Sequence, residues 1–229
     1  MTGCWKSKPS NPSWKQRLNS KMNTILIPIN HPGAMSSALE VLNNGGLVAF
    51  PTDTVYGLGV SVFNGQAIEG IYQAKNRPLE KSIPILIGDI EDLAKVSGAV
   101  PEIALKLAAR FWPGPLTLII PKRPDLPKQV SSTPTVGVRM PDYLMARSLL
   151  RLVGPMAVTS ANLSGRASPS TAEEVLGQLS GRIALILDGG KTPGGVPSTV
   201  VDCLGAELKV LREGPITKDE ILAFYLKIN

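Results

Sequence analysis

The densest collection of ligand-capable groups in the chain is Pro51-Thr-Asp-Thr-Val-Tyr-Gly-Leu-Gly59, which follows an apolar run and holds three hydroxyls, a carboxylate and two glycines. Glycines let a backbone come close to a guest, and Thr52, Thr54 and Tyr56 offer donors to the polar groups of a small molecule. A strand-to-helix turn tied by local Asp and Thr bonds explains the same composition. The stretch has neither P-loop nor Rossmann spacing. A second cluster is Lys75-Asn-Arg77 ahead of Pro78, at the expected end of a helix. Once the helix stops, the two cations can converge on one anion, arginine's planar fork complementing lysine's point charge on a triphosphate or carboxylate. Cations at a helix C-terminus also suit its dipole without any ligand. The third cluster is Thr159-Ser-Ala-Asn162, continued by Ser164, Gly165 and Ser168, a polar loop directly after an apolar strand. Ligands of open α/β sheets sit at such carboxyl ends, where hydroxyls and amides bind phosphate oxygens and a ribose. An approach to a helix capped by Ser170 is the competing explanation.

Arg139, Ser198 and Arg212 each stand at an expected strand end. A buried arginine needs an anion; a substrate carboxylate or phosphate would serve, and so would Asp142, Asp202 or Glu213. The only histidine, His31, lies outside these clusters, which speaks against a Ser-His-acid triad, and no close carboxylate pair suggests glycosidase or aspartic chemistry. Cys4 and Cys203 lie almost the whole chain apart without a Cys/His cluster. Neither a disulfide framework nor a metal site is expected, and a reducing cytoplasm fits best.

The elements that must position these groups read as alternating helices and strands, the pattern of an α/β or α+β domain. Helices are expected over 36–44, 65–75, 143–152 and, split by Pro101, within 90–111; strands over 47–50, 83–87, 116–120, 136–140, 156–159, 183–187, 198–201 and 209–212. Pro84 argues for an edge position or a strand start. Ser170-x-x-Glu173 and Thr217-x-x-Glu220 have capping-box spacing ahead of two further helices. At 229 residues one domain over 24–229 is expected, preceded by a basic, disordered arm over 1–23. That arm holds five of the 24 basic residues and no acid, so the remaining 19 stand against 18 acids and the net charge of +6 says little about the body. Trp5 and Trp14 keep an RNA contact by the arm open. No apolar stretch approaches the roughly 18 residues of a membrane span.

In this order the three clusters resemble the YrdC family, whose hallmarks are a Pro-Thr-acid-Thr-x-Tyr-Gly-Leu segment, a Lys-x-Arg pair and a Ser-x-Asn loop. The likeness extends through Phe111-Trp-Pro-Gly-Pro-Leu-Thr117, Val138-Arg-Met-Pro141, Ser160-Ala-Asn-Leu-Ser-Gly165, Pro197-Ser-Thr199 and Leu211-Arg-Glu-Gly214, roughly residues 24–226. Aspartate at 53 stands where the family usually has glutamate, and the chain resembles the short, single-domain type.

The resemblance implies a twisted mixed β-sheet flanked by helices around a large, positively charged cleft. It implies a nucleotidyltransferase that makes threonylcarbamoyl-AMP and pyrophosphate from L-threonine, bicarbonate and ATP. A downstream tRNA threonylcarbamoyl transferase would use that product to form N6-threonylcarbamoyladenosine. Carried over by motif, Thr52, Arg139 and Ser198 would hold threonine. Lys75, Arg77, Ser160, Asn162, Ser168 and Arg212 would hold ATP, with Lys75 and Arg77 catalytic and touching both substrates. Magnesium would ride with ATP. The chemistry asks for charge neutralisation and positioning more than for a protein nucleophile. The alternative is a binding module for double-stranded RNA or tRNA without catalysis.

Overall fold

The structure is a computed structural model that describes residues 23–205 and 207–228. The basic arm expected over 1–23 lies outside the described residues except for Asn23, and Cys4 lies outside with it. Among the described residues, ten strands form one sheet: β1 (Ile25–Pro28), β2 (Val48–Phe50), β3 (Gly57–Ser61), β4 (Ile85–Leu86), β5 (Leu116–Pro121), β6 (Thr135–Arg139), β7 (Met156–Ser160), β8 (Leu185–Asp188), β9 (Thr199–Asp202) and β10 (Lys209–Arg212). Their order is β1-β8-β2-β3-β7-β4-β6-β5-β9-β10. Parallel pairings join β1 to β8, β8 to β2, β4 to β6 and β5 to β9; the remaining neighbours are antiparallel. The helices are α1 (Ala34–Asn43), α2 (Gly65–Lys75), α3 (Leu93–Val96), α4 (Glu102–Phe111), α5 (Leu144–Val153), α6 (Ala172–Leu179) and α7 (Lys218–Ile228). This is the mixed, helix-flanked sheet that the family resemblance implied, and it fits the α/β pattern of the alternating elements.

Side chains of a strand alternate between its two faces, and here the alternation sorts the core into two layers. On β2, Ala49 enters the larger cluster while Val48 and Phe50 enter the smaller; on β7, Ala157 divides in the same way from Met156 and Val158. Ile68 and Ile71 of α2, Leu107 of α4 and Val175 and Leu179 of α6 cover the larger cluster. Ala38 and Leu42 of α1 with Leu149 and Leu150 of α5 cover the smaller. The smaller cluster draws no residue from β5, β6 or β9. On β5 and β6 the positions alternating with Leu118 and Val138 of the larger cluster include Thr117, Ile119, Gly137 and Arg139. On that half of the face the smaller core cluster stops, and Thr117 and Arg139 stand beside Ile119 and Gly137.

Several expectations shift at this resolution of detail. Gly57 and Gly59, read as part of a ligand loop, lie in β3 at the middle of the sheet. A Cβ on Gly57 would come within 2.7 Å of Val158 Cγ1, and one on Gly59 within 2.9 Å of Val158 Cγ2, so these glycines admit the bulky residues of β7. β1 was not singled out either; its Ile25 and Leu26 are exposed. Pro84 precedes a two-residue β4 that pairs on both sides, so of its two readings the strand start holds and the edge position does not. The cap of α6 is Thr171, whose hydroxyl accepts from Glu174 N, while Glu174 accepts from Ser170 N at 2.7 Å. The cap sits one residue later than read, because Thr-x-x-Glu repeats the Ser-x-x-Glu spacing, and the returning bond goes to Ser170 N rather than to the cap residue itself. At α7 the expected reciprocal bonds form: Thr217 N to Glu220 Oε2 at 2.8 Å and Glu220 N to Thr217 Oγ1 at 3.2 Å.

Candidate active site

The turn before β5 starts one half of the site. Trp112 Nε1 donates to Leu116 O at 2.7 Å and holds the turn shut, leaving Gly114 O to accept from Arg139 Nε at 3.0 Å. Arg139 ends β6, and its guanidinium also donates from Nη1 to Thr54 Oγ1 at 2.9 Å and from Nη2 to Asp53 Oδ1. Burial presses this guanidinium below its ordinary value, Asp53 pulls it back up, and nearby Arg212 presses it down again. The partner of the buried arginine is thus Asp53. No ion pair among the described residues joins Arg139 or Arg212 to Asp142, Asp202 or Glu213.

Thr52 is buried in the loop that carries Asp53, and its hydroxyl donates to Val55 O at 2.7 Å and accepts from Thr54 N at 3.2 Å. The local-turn explanation of this stretch therefore operates, and the same turn aims Asp53 and Thr54 at Arg139. Tyr56 is turned away from the half-site: it donates to Gly190 O at 2.8 Å and accepts from Gly189 N at 3.1 Å, with burial pushing its phenol up to about 12. Ser198 Oγ lies 2.8 Å from Thr117 Oγ1. A register slip between Val210 and Arg212 turns Arg212 toward the start of β9, where Nη2 and Nε donate to Ser198 O at 2.8 and 3.0 Å. Arg212, expected with the nucleotide, is bonded into the set with Ser198.

The other half is built around α2. Asn64 caps its N-terminus and Asn76 ends it in the left-handed region at φ 50°, a conformation asparagine tolerates better than most residues. The chain reverses there, Arg77 N bonding back to Tyr72 O at 2.8 Å. As a result the two cations part company. Lys75 points inward and donates to the backbone oxygens of Ser160 and Asn162. Arg77, half-buried, donates to Lys81 O at 3.1 Å and Ser82 O at 2.8 Å. Lys75 is only 1% exposed, and burial, aided by the Arg77 charge, pushes its ammonium down to about 7. Two of its three donors are committed to the Ser-x-Asn loop, so its first task is to hold that loop.

In that loop Asn162 donates from Nδ2 to Leu163 O and Arg166 O, both at 2.8 Å, which fixes which side-chain atom is oxygen. Asn162 Oδ1 is buried and has no protein partner among the described residues. Such an acceptor is costly unless something donates to it. Ser168 lies further on, lining a pocket of about 600 Å³ with Glu174, Gln178, Lys191 and Thr192. The far wall of that pocket is a strap, residues 189–197, absent from the site read in the sequence. Thr192 N donates to Ser170 O at 2.8 Å and Gly195 N to Thr54 O at 2.7 Å, so the strap ties the loop after β7 to the loop after β2. A Cβ on Gly194 would lie 2.6 Å from Asp53 O, which leaves only glycine that close. Asp53 was visible as the single acid in a hydroxyl-rich stretch; the strap's two Gly-Gly pairs were legible only as turns.

Fold and candidate site define a mixed-sheet α/β protein in which Arg139, Ser198 and Arg212 meet near strand ends while Lys75, at the end of α2, holds the loop after β7. A family model, Sua5/YciO/YrdC, described as telomere recombination, matches residues 40–214. The chain is 47% identical over 192 residues to a threonylcarbamoyl-AMP synthase of Bacillus subtilis, covering 82% of this chain and 56% of the relative. It is 39% identical over 186 residues to a putative threonylcarbamoyl-AMP synthase of Mycobacterium tuberculosis, covering 81% of this chain and 86% of the relative. A crystal structure of Pyrococcus abyssi Sua5 complexed with L-threonine superposes with a TM-score of 0.85 at 40% identity, over 88% of this chain and 61% of the other. The chain belongs to the Sua5/YciO/YrdC family, and it spans little more than half the length of its Bacillus and Pyrococcus relatives.

Proposed function

We propose that the chain is an L-threonylcarbamoyladenylate synthase, joining L-threonine, bicarbonate and ATP into threonylcarbamoyl-AMP with release of pyrophosphate. The observation that carries this reading is a surplus of positive charge. Of Lys75, Arg77, Arg139 and Arg212, only Arg139 has a carboxylate partner among the described residues. Three cations without an acid suit a triphosphate. The relatives' printed activity, and the L-threonine bound to the Pyrococcus protein, supply the class of co-substrate.

In this reading Thr52, Arg139 and Ser198 frame the amino acid, and Ser160, Asn162, Ser168, Arg77 and Arg212 frame the nucleotide. Carboxylation of the amine by bicarbonate releases water; a carbamate oxygen then forms a bond to the α-phosphorus as the bond to pyrophosphate breaks. Holding the reactants together contributes on the order of 7–11 kcal/mol in favourable cases. Arg77 and Arg212 oppose the charge that develops on the phosphate oxygens. Lys75 orders the Ser160–Asn162 carbonyls and keeps one donor for the ligand. Asn162 Oδ1 accepts from a nucleotide hydroxyl or amine. The described residues include no cluster of three or more His, Cys, Asp or Glu side chains that could cage a metal. Magnesium fits here as a companion of ATP, neutralising phosphate charge when bound.

The product would pass to a tRNA threonylcarbamoyl transferase in the cytoplasm. Pyrophosphate release with ATP and bicarbonate, with and without L-threonine, tests the reading, mass spectrometry reporting threonylcarbamoyl-AMP. Threonine-dependent release with that product is expected. Release independent of threonine, or none, sinks it and returns weight to RNA binding, which removal of residues 1–21 should then abolish.

A further inference from the structure

We infer that Asp53 is a specificity-determining residue of the amino-acid subsite, one of its carboxylate oxygens steering Arg139 and the other receiving the substrate's α-ammonium group. The inference rests on the proposed threonine chemistry. Arg139 has five N–H donors, and three are committed: Nε to Gly114 O, Nη1 to Thr54 Oγ1 and Nη2 to Asp53 Oδ1. One N–H remains on each terminal nitrogen, two donors from which a carboxylate can accept. Asp53 has likewise used one oxygen. Its Oδ2 has no protein partner among the described residues, although only 10% of the side chain is accessible. Such a site offers donors and an acceptor together; Arg139 and Asp53 cancel each other, and nearby Arg212 adds the remaining positive charge. Its complement is a zwitterion, with the α-carboxylate on Arg139 and the α-ammonium on Asp53. A hydroxy acid brings only the anion, meets a guanidinium already neutralised, and leaves Asp53 Oδ2 without a charged donor.

Around this pair the structure leaves little freedom. Thr52 Oγ1 and Thr54 Oγ1 lie 3.0 Å apart, Gly194 presses on Asp53 O, and Gly195 N bonds Thr54 O at 2.7 Å. The residues on either side of Asp53 are thus tied down, Thr52 by its hydroxyl and Thr54 by the strap, which limits how far the carboxylate can move.

Calorimetric titration of L-threonine and of 2,3-dihydroxybutyrate, which carries a hydroxyl in place of the amine, tests the inference on wild type and on Asp53→Asn. Wild type should prefer L-threonine by about tenfold to a hundredfold, the range of a charge-assisted hydrogen bond. Asp53→Asn should lose the preference and bind dihydroxybutyrate more tightly than wild type does, because Arg139 regains its full charge. A residue that merely orders the loop would weaken both ligands alike, and that result overturns the inference. So does equal wild-type affinity for the two ligands, which needs no variant to fold. Wild type that takes dihydroxybutyrate but not L-threonine sinks the threonine reading itself, a different outcome from an Asp53→Asn protein that keeps the wild-type preference.

Discussion

The two halves of the site are built on opposite plans. Around Arg139 the buried guanidinium has its carboxylate, and the hydroxyls beside it are bonded: Asp53, Thr54 and Gly114 serve Arg139, and Thr117 and Arg212 serve Ser198, with Arg212 itself the one cation there without an acid among the described residues. Around Lys75 the charge has backbone oxygens for partners and only the like charge of Arg77 nearby, and Asn162 Oδ1 has no partner at all among the described residues. The first half has its buried ion pair in place before any ligand arrives, with donors and one carboxylate oxygen to spare. The second carries a buried cation and a buried acceptor whose costs a nucleotide would offset. Preorganisation and ligand dependence thus sit side by side, with the 189–197 strap bonded to both.

The contrast is tested hardest by removing Arg139. Arg139→Met leaves the Asp53 carboxylate with no cation in a largely buried pocket, and stability in urea should drop by about 3–5 kcal/mol. The Arg139→Met/Asp53→Asn double variant should lose clearly less than the two singles combined; simple additivity would mean the half-site is not a unit. On the other side, Arg77→Ala removes a half-buried cation whose carbonyl partners can turn to water. It should melt near wild type while turnover falls by about 100- to 1,000-fold, the scale of one lost electrostatic contact. Unchanged turnover would move Arg77 out of the chemistry.

A smaller effect follows from Lys75. Its folded value of about 7 lies below the unfolded 10.5, so between them the unfolded chain binds the proton and the folded chain does not; this residue's contribution to stability rises with pH across that window. A bound triphosphate favours the ammonium, so ATP binding should take up a proton and weaken by about tenfold between neutral pH and 9. Calorimetry in buffers of different ionisation enthalpy reads both quantities, and Lys75→Met should flatten the profile. A slope that survives in Lys75→Met assigns the proton elsewhere. Smallest is the strap: Gly194→Ala puts a methyl 2.6 Å from Asp53 O and should cost about 1 kcal/mol in stability while raising KM for L-threonine more than for ATP. Equal changes in the two constants would detach the strap from the amino-acid half.

Much of this was readable from residue order. Elements with a strong apolar period, such as 65–75 and 116–120, formed where expected, because burial and periodicity agree there. β3 was missed because Gly57 and Gly59 lower strand propensity for a reason that lies on β7, in Val158. The candidate residues stood out as three clusters and three strand-end positions, Arg139, Ser198 and Arg212, yet their hydrogen-bond partners did not. Nothing local announces that Asn76 would turn left-handed and send Lys75 and Arg77 apart, or that Arg139 would choose Asp53, distant in sequence, over Asp142 nearby. Those pairings depend on the sheet order that brings β6 and the loop after β2 together.

Amide hydrogen exchange in the free, ATP-bound and L-threonine-bound protein measures the difference between the halves most directly. ATP should slow exchange in the loop from Ala161 to Ser168 by an order of magnitude or so, while L-threonine should leave the amides of Thr52 to Tyr56 nearly as they are in the free protein. Strong threonine protection of the 52–56 loop with no response of 161–168 to ATP would contradict a preorganised amino-acid half beside a nucleotide half that its ligand completes.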